Sequence, residues 1–243
     1  MDVRFVRFLP AGDSALVVEF GDRIDRALSE RVLALSRRIR AAAVDGIVET
    51  VPTFRSLLVH YNPLRTDGAR LVAALQCLLG ADERTVERRR RWRVPACYAR
   101  DCAPDLDEVA GRCGLTTCEV VARHAATQFY VYMIGFTPGY PYMGDLPSEL
   151  HLPRRADPRV RVPSGSVAIA SALTTIYPLE SPGGWHLIGA TPIRLFDPDA
   201  PEPSLFAAGD LVRFEPIDVG EYEAIGAAVA RNAYAVPCED VGP

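Results

Sequence analysis

From His124 to Ile217 the chain is broken by Gly and Pro so often that it is expected to fold as short strands joined by tight turns. The runs "FYVYMIGF", "RVRVPSGSVAIAS", "TTIYPL", "WHLIGATPIRLF" and "DLVRFEPI" are rich in β-branched and aromatic residues, with turn residues between them about every 8–12 positions. The pattern predicts a closed barrel or a sandwich, since closing or stacking a sheet removes its exposed edges. One of the turns is unusual. "GFTPGYPYMGDLP" (Gly135–Pro147) holds three Gly and three Pro, yet also a Phe, two Tyr and a Met. A rigid loop can pack such rings against its own barrel, or present them to a partner at little entropic cost. Phe136, Tyr140 and Tyr142, stiffened by Pro138 and Pro141, are the candidate partner-contact residues.

The first 88 residues read as a separate α+β domain of two ββα units. "VRFVRFLP" and "SALVVEFG" are expected as strands around a turn at Ala11–Asp13. Asp25 is placed to cap a helix whose Leu28, Val32, Leu35 and Ile39 form one stripe. "IVETVP" and "SLLVHYN" follow as strands, then a second helix with Leu71, Leu75, Leu78 and Leu79 inward and Gly80 as its stop. The charged segment Asp82–Arg93 reads as a linker or exposed helix end, with Arg88–Arg91 as an alternative anion site. After the strand "WRVPACY", one helix is expected up to Gly114 and another capped by Thr116, with Glu119 completing a capping box. The β domain is expected over residues 89–218 and a helical tail over 219–243.

Composition excludes several functions. The net charge of −4 and the acidic first helix of the helix–turn–helix disfavour nucleic acid as a partner. No apolar run approaches the ~18–20 residues that cross a bilayer, and the N-terminus lacks a signal-peptide core, so a cytoplasmic location is expected. All 27 basic residues are Arg; without Lys the chain cannot by itself supply a Walker A loop, a Schiff base or a biotinyl-lysine. The six cysteines include no C-x2-C pair and are read as free thiols, since a Cys97–Cys102 bridge would require an oxidising compartment. No metal or prosthetic group is predicted.

Candidate chemistry concentrates in two places. "PRRADPRVRVPSGS" sets Arg154, Arg155, Arg159 and Arg161 beside Ser164, Gly165 and Ser166. Such a group can cradle an anion with guanidinium and backbone N–H groups; equally, the arginines can line a solvent-facing strand edge. Arg154 and Arg161 are the candidate catalytic arginines. In "SPGGW", Gly183 and Gly184 allow close backbone approach, and Trp185 can stack on a ligand or plug the barrel end, with Tyr177 and Tyr132 at the same mouth. His124 is a candidate general base or a helix-end cap. His186 is expected at the surface. No nucleophile elbow is present, so covalent catalysis is not expected.

Several motifs occur in a fixed order: "LPAGDSALVVEFG", "VPTFRSLLVHYNP", "APDLDEVA", "RHAATQFYVYMIGFTPGYPYMGDLP", "LPRRADPRVRVPSGSVAIA", "IYPLESPGGWHLIGATPIRLFDP" and "AAGDLVRFEPI". Together they resemble the family of 5-oxoprolinase B subunits, also known as allophanate hydrolase subunit 1 and as the sporulation kinase inhibitor KipI. The resemblance covers nearly the whole chain. It implies a small α+β domain followed by a mainly-β, cyclophilin-like barrel. It further implies a non-autonomous component of an ATP-dependent hydrolase that opens 5-oxoproline to glutamate. Its partners would be a C-type subunit (KipA, or allophanate hydrolase subunit 2) and an A-type subunit of the LamB/YcsF kind, and ATP would be used by the assembled complex. Other readings within the family are a histidine-kinase inhibitor and a urea carboxylase or allophanate pathway component.

The chain also departs from the family pattern. Where members usually read "GxQTGIYP", it reads "SALTTIYP", with Ser171, Leu173 and Thr175 in place of Gly, Gln and Gly. Asp145 stands where a second Gly is usual after "GFPY". Loss of the Gln amide bears on how an amide substrate would be held.

Overall fold

The computed structural model describes residues 6–79 and 89–242. The chain divides into two compact units, Met1–Val86 and Glu87–Pro243. The start of the first expected strand, Gly80 as a helix stop, and the charged segment up to Arg88 lie outside the described residues.

The first unit has the expected order: β1 (Arg7–Pro10), β2 (Ala15–Glu19), α1 (Arg26–Ala42), β3 (Ile47–Pro52), β4 (Ser56–Tyr61) and α2 (Gly68–Leu79). Its four strands form one antiparallel sheet in the order β1-β2-β4-β3. Asp25 caps α1 by accepting from the N–H groups of Ala27 and Leu28. Leu16 and Val18 of β2 and Leu57 and Val59 of β4 alternate inward, as a half-buried sheet requires, and meet Val32, Leu35 and Ile39 of α1 and Leu71 and Leu75 of α2.

The second unit comprises β5 (Arg89–Cys97), α3 (Leu106–Cys113), α4 (Thr117–Ala126), β6 (Phe129–Ile134), β7 (Pro141–Gly144), β8 (Arg159–Val162), β9 (Ser166–Ala170), β10 (Leu173–Ile176), β11 (Ser181–Gly183), β12 (His186–Ala190), β13 (Leu211–Ile217), α5 (Val219–Ala230) and β14 (Cys238–Val241). The order β12-β9-β10-β7-β6-β13-β5 closes on itself, because β12 also pairs with β5 through Ala190 and Cys97. β13 and β5 run parallel, so this is a mixed seven-stranded barrel. β8 and β11 form a separate two-stranded ribbon. Val94, Val131, Met143, Val167, Ile169, Ile188 and Phe214 fill the barrel, with Leu106 and Val109 of α3 and Val120 of α4 joining the same core. Both helices have the expected ends: Gly114 in the left-handed region, and the Thr116–Glu119 capping box.

Two expectations about local structure are corrected. Arg89–Arg91 are not linker but the start of β5, where β14 pairs alongside them. Charges on this stretch are matched within the barrel unit: Arg90 meets Asp210 and Glu202, and Arg91 meets Glu239. Trp92 Nε1 donates to the same Asp210 at 2.9 Å, which fixes the strand. The C-terminal tail is helical only over α5, and its last residues return as β14. Among the described residues no helix is long and apolar enough to cross a membrane.

Candidate functional site

β9 is buried on both faces, and its alternation separates two clusters. Val167 and Ile169 point into the barrel, whereas Ala168 and Ala170 point outward onto Tyr140, Tyr177, Trp185, Val162 and Leu187. Tyr177, Trp185 and Tyr142 therefore line the outer wall, not the barrel end. Tyr132 lies elsewhere on the barrel, against Tyr130 and Asp145. The small side chains of β9 leave room for large rings. Tyr140 meets Tyr177 edge-on with centroids 5.2 Å apart, and Tyr142 meets Trp185 at 6.1 Å. Burial raises the hydroxyl pKa of Tyr140 and of Tyr177, so both stay protonated at neutral pH.

The loop before β7 supplies the patch's outermost ring. Gly135 N donates to Tyr140 O at 3.0 Å and closes the turn. Phe136 is 63% exposed and has φ +73°, a left-handed conformation that bulky residues rarely adopt. Its ring rests edge-on against Tyr140 at 5.3 Å. Of the three residues expected to face a partner, Phe136 is exposed and Tyr142 is half-buried. Tyr140 is instead buried, because the wall of Tyr142 and Tyr177 encloses it.

The four arginines do not act alike. Arg155 and Arg159 converge on the buried carboxylate of Asp105 at 3.2 and 2.6 Å, and Arg155 also reaches Glu108 at 3.1 Å. The other oxygen of Asp105 accepts from the Leu187 N–H at 2.7 Å, tying α3, the arginine segment and β12 together. Arg161 forms a two-pronged, exposed pair with Glu180 at 2.9 and 3.0 Å. Arg154 differs: among the described residues it has no ion pair, and its guanidinium stands over the Trp185 ring at 5.8 Å. Its charge partly opposes the upward shift that burial gives the Tyr142 and Tyr177 hydroxyls.

The "PSGS" turn uses its polar groups internally. Ser164 Oγ donates to Pro178 O and Ser166 Oγ to Pro163 O, each at 2.8 Å, and the Gly165 N–H donates to Tyr177 O at 2.7 Å. Gly165 has φ +84°, and a Cβ there would run into the Thr191 carbonyl. The Ser164 and Ser166 hydroxyls and the Gly165 N–H are thus engaged within the unit and do not form an open anion cradle with Arg155. Gly183 leaves space for the Tyr177 hydroxyl, which a Cβ would strike. Gly184 O accepts the Arg155 N–H at 2.8 Å.

His124 is completely buried between Phe129 and Phe214. Thr174 Oγ1 gives its proton to Ala168 O, so His124 Nε2 is the donor to Thr174, at 2.9 Å. Nδ1 then accepts from the Tyr98 hydroxyl at 2.9 Å. Burial lowers its pKa to about 3. For the expected general base, both nitrogens are taken and the ring is neutral. His186, expected at the surface, is also fully buried. Its Nε2 donates to Pro153 O at 3.0 Å, and its Nδ1 lies 3.9 Å from Glu108. Asp105 and His186 escape a sequence reading as organisers, because neither has a partner nearby in sequence.

The family departures now have physical reasons. Ser171 and Asp145 have φ +53° and +72°, so both hold left-handed positions that glycine adopts without strain. Thr175 is buried and donates to Pro141 O at 2.7 Å. Leu173 packs against the aromatic patch. Among the described residues no group of three or more His, Cys, Asp or Glu side chains could hold a metal ion.

Comparison with known proteins agrees with this architecture. The family model "Carboxyltransferase domain, subdomain C and D" matches residues 6–206. The 5-oxoprolinase B subunit of Bacillus subtilis (strain 168) is 36% identical over 225 residues, 88% of this chain and 93% of that protein. The 5-oxoprolinase B subunit of Escherichia coli O157:H7 is 38% identical over 205 residues, 84% of this chain and 93% of that protein. A crystal structure of TTHA0988 superposes with a TM-score of 0.76 at 36% identity, covering 84% of this chain and 40% of that longer one. On the extent of these matches and the barrel they share, the chain belongs to the family of 5-oxoprolinase B subunits.

Proposed function

We propose that this chain is the B subunit of an ATP-dependent 5-oxoprolinase, opening 5-oxoproline to glutamate together with partner subunits of the C and A types. The observation that carries the reading is the near-full-length similarity to two 5-oxoprolinase B subunits. The chemistry fits a divided enzyme. A lactam is resonance-stabilised, and ATP can convert its carbonyl oxygen into a phosphate leaving group. A chain without lysine offers no Walker A lysine for ATP, so the nucleotide site is assigned mainly to the partners. The exposed, strained Phe136 and the half-buried Tyr142 support a partner contact at the aromatic patch, and on this reading the active site lies where the patch meets the C-type partner.

The test is co-expression with C- and A-type subunits, followed by glutamate release from 5-oxoproline and ATP. Turnover that requires this chain is expected. No turnover with all three subunits present, beside a working control enzyme, rejects the reading. Inhibition of a histidine kinase by the chain alone would then favour the regulatory alternative.

A further inference from the structure

We propose that Arg154 is a carboxylate-binding residue, holding the anionic end of a small planar ring against the Trp185–Tyr142 wall. The ligand's identity rests on the 5-oxoprolinase reading, because 5-oxoproline is a flat lactam with one carboxylate. Three of the four arginines in the segment are neutralised, Arg155 and Arg159 by Asp105 and Arg161 by Glu180. Arg154 is left without an acid partner among the described residues. It is nonetheless well positioned, since the backbone is pinned on both sides of it. Leu152 O accepts from Ser171 N at 2.6 Å, Pro153 O accepts from the buried His186 at 3.0 Å, and Arg155 N donates to Gly184 O at 2.8 Å.

The Cα of Arg154 is thereby fixed while its guanidinium is left for a ligand. Trp185 lies beneath that guanidinium at 5.8 Å, and such stacking leaves the planar fork's edge free for a two-pronged carboxylate bond. Trp185 itself is buried, so the ring beside it that a lactam can reach is the half-buried Tyr142, which packs edge-on against Trp185 at 6.1 Å. A cation resting over a ring loses less freedom on binding than one free in solvent, so it contributes to ground-state affinity.

The distinguishing readout is the split between KM and kcat in the assembled enzyme. Arg154→Gln should raise the KM for 5-oxoproline about tenfold or more, with a smaller change in kcat. Arg154→Lys should recover part of the loss, and it serves as the second variant if the first does not fold. 2-Pyrrolidinone, the same lactam without its carboxylate, should inhibit wild type and Arg154→Gln equally. An unchanged KM, or a loss confined to kcat, overturns the proposal. If the wild-type complex releases no glutamate, the functional reading fails and Arg154 is judged on the full chain alone. Arginine side-chain NMR signals are then titrated with 5-oxoproline and with benzoate. A shifting signal that is absent in Arg154→Gln supports the site, and no shifting signal overturns it.

Discussion

Two polar centres of the barrel unit, one around His124 and one around Arg154, differ in how far their atoms are already used. His124 has the side chain most often given to proton transfer, yet Tyr98 and Thr174 occupy both its nitrogens and aromatic rings enclose it. Arg154 sits in a segment whose other guanidiniums are matched by carboxylates, and among the described residues it alone of the four has no acid partner, standing over the buried Trp185 ring. The difference teaches that residue type nominates a site, whereas unspent hydrogen-bonding capacity at an accessible place makes one.

The largest effect is expected at the anchor of the Arg154 side. Asp105→Ala leaves Arg155 and Arg159 facing a buried gap, and should cost about 3 kcal/mol or more in urea unfolding. A loss below about 1 kcal/mol would show that the segment is held without Asp105.

The His124 side should reveal itself through pH. The unfolded chain takes up the His124 proton below about 6.5, its ordinary value, whereas the folded chain resists protonation down to about 3. The neutral ring therefore favours the fold fully above about 6.5. That contribution declines as pH falls toward 3, by about 1.4 kcal/mol per pH unit. His124→Phe should flatten this acid limb. It should also cost about 2 kcal/mol at neutral pH, by leaving Tyr98 without its acceptor. An unaltered acid limb in the variant would remove His124 from the account.

A smaller effect of opposite sign is expected in the loop. Phe136→Gly relieves a left-handed phenylalanine and should stabilise the isolated chain by about 1 kcal/mol while weakening capture of the C-type partner in pull-down titrations. A stabilised variant that binds this partner as tightly as wild type would disconnect the strain from the partner surface. The smallest change is expected for Arg161→Gln, whose exposed pair with Glu180 is solvent-screened, so neither melting temperature nor KM should move. A KM rise there matching that of Arg154→Gln would erase the contrast among the arginines.

Much of the fold was legible in order. The stripe Val32, Leu35, Ile39, the Asp25 cap, the Thr116–Glu119 box and the Gly114 stop are local devices, and each stands where the sequence sets it. The start of β5 was not legible, because four consecutive arginines resemble solvated linker. The return of β14 and the position of Asp210 and Glu202 bring counter-charges to Arg90 and Arg91.

The sequence by itself determined the two-part architecture, the family, the exclusion of lysine-dependent chemistry and the segment that carries the unmatched arginine. The architecture and the exclusion follow from composition, periodicity and capping, which are short-range properties of the chain, whereas the family is carried by the ordered series of motifs. Tertiary structure alone decided that His124 and His186 are sealed, that Arg154 has no acid partner among the described residues, and that the aromatic rings sit on the outer wall of β9 and not at the barrel end. Those outcomes depend on pairs such as Asp105 with Arg159 and His124 with Thr174. Their members are separated by dozens of residues and meet only once the sheet has closed.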